Sequence, residues 1–310
     1  MSLGGVDLSV TIGKLALRNP VMPASGTFGY GEELADLVDL NGLGAIVVKG
    51  TTLNPRMGNP PNRFVEVAGC AFLNYVGLQN VGVRRFIDEK LPYLRRLRTP
   101  IIVNIAGEDV EEFKLMTEAL SRVDGVSAIE VNLACPNVSG GGLAFSADAQ
   151  VAFDVVKAVR DATDLTVIAK VSPSLVDVRT LAQVCASAGA DAVCPIWSGM
   201  GMAIDINTGR SRMGANLRGA LGGPGLKPLH LRLAYEAAQA VSIPIIGCGG
   251  ICGWEDAVEY LLAGASAVQI GSAGLIDPQT YTETIDGLGK WAEKRGVRRI
   301  EEVVGSFRMS

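Results

Sequence analysis

The chain has 310 residues, 48% of them hydrophobic and only 5% aromatic, with a net charge of −4 at pH 7 and a pI near 5.2. That length and aliphatic content allow a large core and favour a closed parallel barrel or a doubly wound sheet over a β-sandwich. Lys and Arg are scattered outside two short clusters at 95–98 and 294–299, which argues against nucleic acid; no apolar run reaches membrane-span length, and no basic region leads into a hydrophobic segment at the N-terminus, so a cytoplasmic protein without anchor or signal peptide is expected.

Eight short Val/Ile-rich runs, each ended by Gly, Pro or polar residues, read as strands at 19–24, 45–49, 100–104, 128–133, 166–171, 191–196, 243–247 and 267–271. Apolar residues at helical spacing mark helices over 34–40, 110–120, 149–162, 178–188, 229–240 and 257–262. This alternation predicts an α/β fold, a (β/α)8 TIM barrel formed as a single domain over residues 1–310. Two connections are longer than a βα unit requires. They follow the second and sixth strands, with polar, Gly- and Pro-rich stretches at 51–82 and 198–228, and suit substrate covering or an oligomer contact. Asp205 and Arg210 on the second of these fit a subunit contact, a lid, or plain solvated surface.

In a parallel barrel the C-terminal strand ends share one site. Here they offer Ala24, Ser25 and Gly26; Lys49; Asn104; Asn132 followed by Cys135; Lys170; Trp197 and Ser198; Gly249 and Gly250; and Gly271 and Ser272. The fourth end is the most distinctive, reading Glu130-Val131-Asn132-Leu133-Ala134-Cys135-Pro136-Asn137 and then three glycines at 140–142. Proline stops sheet pairing and glycine frees the backbone, so Cys135 sits where a strand opens into a loop, flanked by two amides. A thiol there can move a proton, and Asn132 and Asn137 can hold a polar planar ligand against it.

Two lysines among the strand ends, with no carboxylate at those ends, point to an anionic ligand, since a buried ammonium without a partner is costly. The glycine turns of strands seven and eight, with Gly222 and Gly223 from the long loop, can present bare backbone N–H groups to a phosphate. Phosphate at one side and amides and lysines across the middle suit flavin mononucleotide. Lys170 is expected beside the edge where charge collects on reduction, and Asn104 and Asn132 at the polar ring edge. No GxGxxG follows a first strand, which disfavours a dinucleotide fold. The six cysteines form no CxxC pair and read as reduced thiols without zinc or an iron–sulfur cluster. The lone His230 reads as a surface helix residue without a catalytic role.

Taken together, these stretches resemble the class 1 dihydroorotate dehydrogenases, and more closely the catalytic subunit of the 1B branch. The resemblance rests on 19–31 (NPVMPASGTFGYG), 49–60 (KGTTLNPRMGNP), 73–80 (LNYVGLQN), 130–142, 201–205 (GMAID), 222–228 (GGPGLKP) and 243–250 (IPIIGCGG). It implies an FMN barrel that oxidises dihydroorotate to orotate in pyrimidine synthesis. Cys135 would be the base taking the C5 proton while hydride leaves C6. Lys49, Asn74, Asn132, Asn137 and Ser198 would hold the substrate, with the backbone of Gly77 and Leu78 nearby, and the loop from 198 onward would close over it. The resemblance further implies a homodimer and a second subunit carrying FAD and an iron–sulfur cluster that passes electrons to NAD; a stand-alone enzyme using fumarate is the other arrangement.

One position departs from that family pattern. Trp197 stands where the family has an asparagine that contacts orotate, while Ser198 keeps a hydroxyl. Losing a pairing to a buried ligand group costs about 1–3 kcal/mol, so another dihydropyrimidine or cyclic amide is an alternative substrate. From a different class, a lysine-dependent aldolase would also need a barrel, a phosphate cradle and an inward lysine.

Overall fold

The computed structural model describes residues 5–67, 71–135 and 143–308. Eight parallel strands form the central sheet: β1 (Val21–Pro23), β2 (Ile46–Thr51), β3 (Ile101–Ile105), β4 (Ala128–Leu133), β5 (Thr166–Val171), β6 (Ala192–Pro195), β7 (Ile245–Cys248) and β8 (Ala265–Ile270). Each pairs with its sequence neighbour from β2 through to β8, and β8 returns to pair with β1. The seam between β1 and β2 is bridged by the Gly44 N–H donating to the Val21 carbonyl at 2.9 Å. A Cβ at Gly44 would lie 2.2 Å from the Asn19 carbonyl oxygen, so the seam closes only because that residue has no side chain. The strands are almost wholly buried, as expected when a sheet is covered on both faces, and this accounts for their continuous Val/Ile runs.

The helices α1 (Val110–Ser121), α2 (Ala149–Asp161), α3 (Val178–Ser187), α4 (Lys227–Ala238), α5 (Trp254–Leu262) and α6 (Thr280–Lys294) surround the sheet. Asp109, Asp148 and Asp177 cap the first three by accepting from backbone N–H groups one turn in, the arrangement that satisfies a helix start. An antiparallel hairpin, Val10–Ile12 with Leu15–Leu17, lies across the N-terminal end of the barrel, where the Lys14 N–H donates to the Thr166 hydroxyl.

Five of the six expected helices are present and the first is not. Residues 34–40 hold only the end of a 3-10 turn, Glu32–Leu34. Here the Glu33 carboxylate turns back to accept from the Tyr30 N–H, and Asp39 and Gly42 close a further turn, leaving too short a run to nucleate an α-helix. In its place the connection after β2 supplies a helical segment spanning Val83–Arg85, Phe86–Lys90 and Leu91–Leu94.

The two long connections meet. Phe64–Val67 and Ala71–Asn74 from the first join Gly219–Gly222 and Met200–Gly201 from the second in one four-stranded antiparallel sheet. Its buried Leu73 packs beneath the backbone of Gly201. Leu73→Ala is expected to cost about 2–5 kcal/mol of local stability. Hydrogen exchange should then accelerate in the strands at 71–74 and 219–222 while β3 to β5 keep their protection; a uniform loss across the barrel would contradict an independent roof.

Candidate active site

One cavity of about 330 Å³ opens at the C-terminal end of the barrel beneath the four-stranded sheet, within the size range of small-molecule sites. The barrel contributes Ala24, Ser25, Gly26, Lys49, Asn104, Asn132, Cys135, Lys170, Ser198, Gly249, Gly250, Gly271 and Ser272 to its wall, and the roof contributes Asn74, Gly222 and Gly223. Leu78 also lines it. Gly77 does not: its backbone, in the left-handed region at φ 74°, turns toward the Asn59 side chain instead. Asn137 lies outside the described residues, as does Cys70. The roof sets the tilted Phe64–Phe72 pair, with ring centroids 5.2 Å apart, over the opening.

Lys49 is brought in by a backbone irregularity. The pairing of β2 with β3 slips between Val48 and Thr51, and bulges of this kind re-aim side chains beside sites. No carboxylate lies within 4 Å of its ammonium among the described residues. Burial lowers its pKa, with Glu33 acting in the opposite direction, so an anion in the cavity is the partner that would favour its charged form.

Lys170 is different, and here the expectation of no inward carboxylate is overturned. The Glu130 carboxylate is fully buried on β4, two residues before Asn132 and on the same face, one layer deeper in the barrel. Its Oε1 accepts from Asn104 Nδ2 at 2.6 Å and from Lys170 Nζ at 3.4 Å, while Oε2 accepts from Gln269 Nε2. Lys170 also donates to Gln269 Oε1 at 2.6 Å, and Asn132 Nδ2 donates to Asn104 Oδ1 at 3.1 Å. Burial pulls the Lys170 pKa down, but the Glu130 carboxylate, with the Cys248 and Cys194 sulfurs beside it, pulls the other way and the net shift is upward. Lys170 is thus a locked ammonium, whereas a Schiff-base lysine must reach the free amine; this weighs against the aldolase alternative at that residue.

His230 is also corrected, because it is buried rather than on the surface. It opens the buried stripe His230, Leu233, Ala234, Ala237 on α4, the i, i+3, i+4, i+7 spacing of a core-facing helix, and that spacing was the signal available in the sequence. Its ring lies against Gly249, where a Cβ would come within 2.3 Å of Nδ1, and Nε2 donates to the Trp197 carbonyl at 3.2 Å in the tautomer protonated there. The Trp197 indole lines the cavity and folds back over Gly199, where a Cβ would overlap the ring at 1.8 Å.

The glycine elements fit a phosphate. Gly249 and Gly250, at φ 112° and 70°, hold backbone conformations on the cavity wall that glycine adopts readily, and a Cβ on Gly222 would meet nothing within 4 Å. With the Lys170 ammonium and two amides across the same cavity, the donor set suits a phosphorylated ring such as FMN.

The fold and cavity define a (β/α)8-barrel protein whose mouth gathers a thiol, ammonium groups, amides and glycine turns at one site. The family model for dihydroorotate dehydrogenase matches residues 7–291, and the chain belongs to that family, in its 1B class. It is 46% identical over 305 residues to the "Dihydroorotate dehydrogenase B (NAD(+)), catalytic subunit" of Geotalea uraniireducens, covering 98% of this chain and 99% of that protein. It is 48% identical to the protein of the same name from Pelobacter propionicus, covering 97% and 98%. A crystal structure of DHODH from Eimeria tenella in complex with ferulenol superimposes with a TM-score of 0.79 at 22% identity, covering 97% of this chain and 88% of that one, and shares its fold. No helix among the described residues is long and apolar enough to cross a membrane.

His230, the chain's single histidine, carries a pH signature. Burial lowers its pKa from 6.5, against the pull of the Trp197 and Leu226 carbonyls. A base with a depressed folded pKa binds fewer protons folded than unfolded, so its contribution is complete above about pH 6.5 and is lost as pH falls below that. The urea midpoint should drop between about pH 7 and about pH 5.5, and His230→Gln should flatten that slope; equal slopes in both proteins would remove the assignment.

Proposed function

We propose that the chain oxidises dihydroorotate to orotate with FMN as its resident cofactor. The observation that carries this reading is the placement of Cys135, half-buried at the end of β4, on the same cavity as Lys170 and the glycine turns of β7 and β8. Gly222, Gly223, Gly249, Gly250, Gly271 and Ser272 would hold the phosphate, and Ala24, Ser25, Gly26, Lys49, Asn104, Asn132, Lys170 and Ser198 the remainder of the cofactor. When bound, FMN supplies the hydride acceptor.

The protein's own groups do the rest. The Cys135 sulfur, as the thiolate, takes the proton from C5 of the substrate, a task suited to a polarisable, half-buried sulfur on the cavity wall. Lys49 pairs with the substrate carboxylate, and Asn74, Asn132 and Asn137 engage the ring amides, with Ser198 and Leu78 at its margin. The Phe64–Phe72 pair adds an apolar wall beside these polar contacts. Because the relatives are named as NAD(+)-linked catalytic subunits, a second subunit carrying electrons onward to NAD is the favoured partner, with FAD and an iron–sulfur cluster as its carriers. A homodimer of this chain completes the assembly.

Purified protein should be yellow, and anaerobic dihydroorotate should bleach it; a yellow protein that stays yellow would retain the flavin and discard the substrate. Cys135→Ala is expected to keep the pigment and lose about 10²–10⁴ in turnover, and undiminished turnover would exclude the thiol as base.

The Trp197 indole in the cavity wall favours a second reading, a dihydropyrimidine without the carboxylate. The Lys49 ammonium opposes it. Dihydroorotate should therefore reduce the pigment at least about tenfold faster than dihydrouracil, equivalent to about 1.4 kcal/mol from the charge pairing, and the reverse order would select the second reading.

A further inference from the structure

Glu130 does not line the cavity, yet two of its three partners, Asn104 and Lys170, do. A carboxylate retained only to satisfy the fold has no need to bind cavity-wall groups. This one bonds the amide beneath the mouth and the ammonium beside it, and its remaining oxygen takes the Gln269 amide.

The bonding pattern leaves no freedom in the amides. Asn104 must point Nδ2 at the carboxylate, which turns Oδ1 toward Asn132, and Asn132 in turn accepts the Ala134 N–H at 3.2 Å on its own Oδ1. Gln269 must point Nε2 at Glu130 and Oε1 at Lys170. One buried negative charge thus dictates the orientation of three amides and cancels one positive charge, across strands β3, β4, β5 and β8.

Resting on the FMN reading above, we propose that Glu130 is a positioning residue that sets the electrostatics of the cavity that would hold the flavin. It holds the Lys170–Glu130 pair neutral and presents the Asn104 and Asn132 amides in a single orientation. The affinity of the site for reduced, anionic FMN is then limited by a charge that touches neither cofactor nor substrate.

Exchange of a carboxylate for an amide tests this, because the consequences are forced. In Glu130→Gln the new amide nitrogen faces the Gln269 amide nitrogen, and flipping Gln269 points a donor at the Lys170 ammonium. One hydrogen bond is lost either way, and the positive charge is left uncompensated. The ratio of affinities for reduced over oxidised FMN should rise at least about tenfold, a positive shift of about 30 mV for a two-electron couple, measured by equilibrium with a reference dye. The swap Glu130→Gln with Gln269→Glu returns every bond and the charge, with the carboxylate moved to β8. It should fold, bind FMN, and show a ratio within about twofold of the native protein.

A folded Glu130→Gln protein with the native ratio overturns the proposal. If that variant does not fold, the swap decides: a native-like ratio supports the proposal, whereas a swap that fails to fold, or folds with a shifted ratio, overturns it. Native protein that takes up no FMN removes the functional reading and this proposal with it, whereas native uptake with an insensitive ratio removes the proposal alone.

Discussion

The ion pair between Glu130 and Lys170 is the constraint around which the interior of the barrel mouth is organised. At 3.4 Å two unit charges attract by about 5 kcal/mol at an effective dielectric of about 20, while desolvation costs several kcal/mol for each ion. The pair by itself is close to balanced. The hydrogen bonds from Asn104 and Gln269 to the carboxylate, and from Lys170 to Gln269, shift that balance toward the ordered state. Every member sits on a barrel strand, so the geometry is held by the stiffest part of the molecule, where groups that must meet a rigid ring are best placed.

A second constraint comes from the roof. Neither long connection could bury its apolar residues alone, since a two-stranded hairpin is marginal in water. Joined through the Ala71–Asn74 and Gly219–Gly222 pairing they form a four-stranded sheet with its own buried residues, Phe72, Leu73 and Ala220, and with the buried Met213 packed against Gly219. That sheet carries Asn74 and the Gly222–Gly223 turn to the cavity from above, while the barrel supplies Cys135 and Lys170 from below. In the proposed reaction the substrate lies between these two layers.

Trp197 and His230 connect the loop after β6 to the glycine turn that follows β7. The imidazole rests on Gly249 and bonds the Trp197 carbonyl, and the indole rests on Gly199. Each large ring is matched by a glycine that admits it. A departure at Trp197 that read as the loss of an amide is, in the folded chain, one half of a packed unit reaching from the cavity wall to the first turn of α4.

Periodicity was sufficient for the barrel. Strands β4 and β5 lie at the predicted residues, and the helices over 110–120, 149–162 and 178–188 hold to within a residue or so, because a strand buried on both faces and a helix buried on one leave unmistakable apolar patterns. The same rule brought the strand-end residues to one cavity, since in a parallel barrel every strand's C-terminal end must face the same mouth. It could not show which groups within the mouth satisfy one another. Glu130 is an inward carboxylate by strand alternation, but whether it reaches Lys170 depends on the stagger of β4 against β5 and on Gln269 arriving across the barrel from β8, 139 residues away. The roof sheet likewise depends on two segments separated by about half the chain finding each other's edges. Local residue patterns report what a segment buries, whereas the partners of a buried charge and of an open strand edge are set by closure of the sheet in three dimensions.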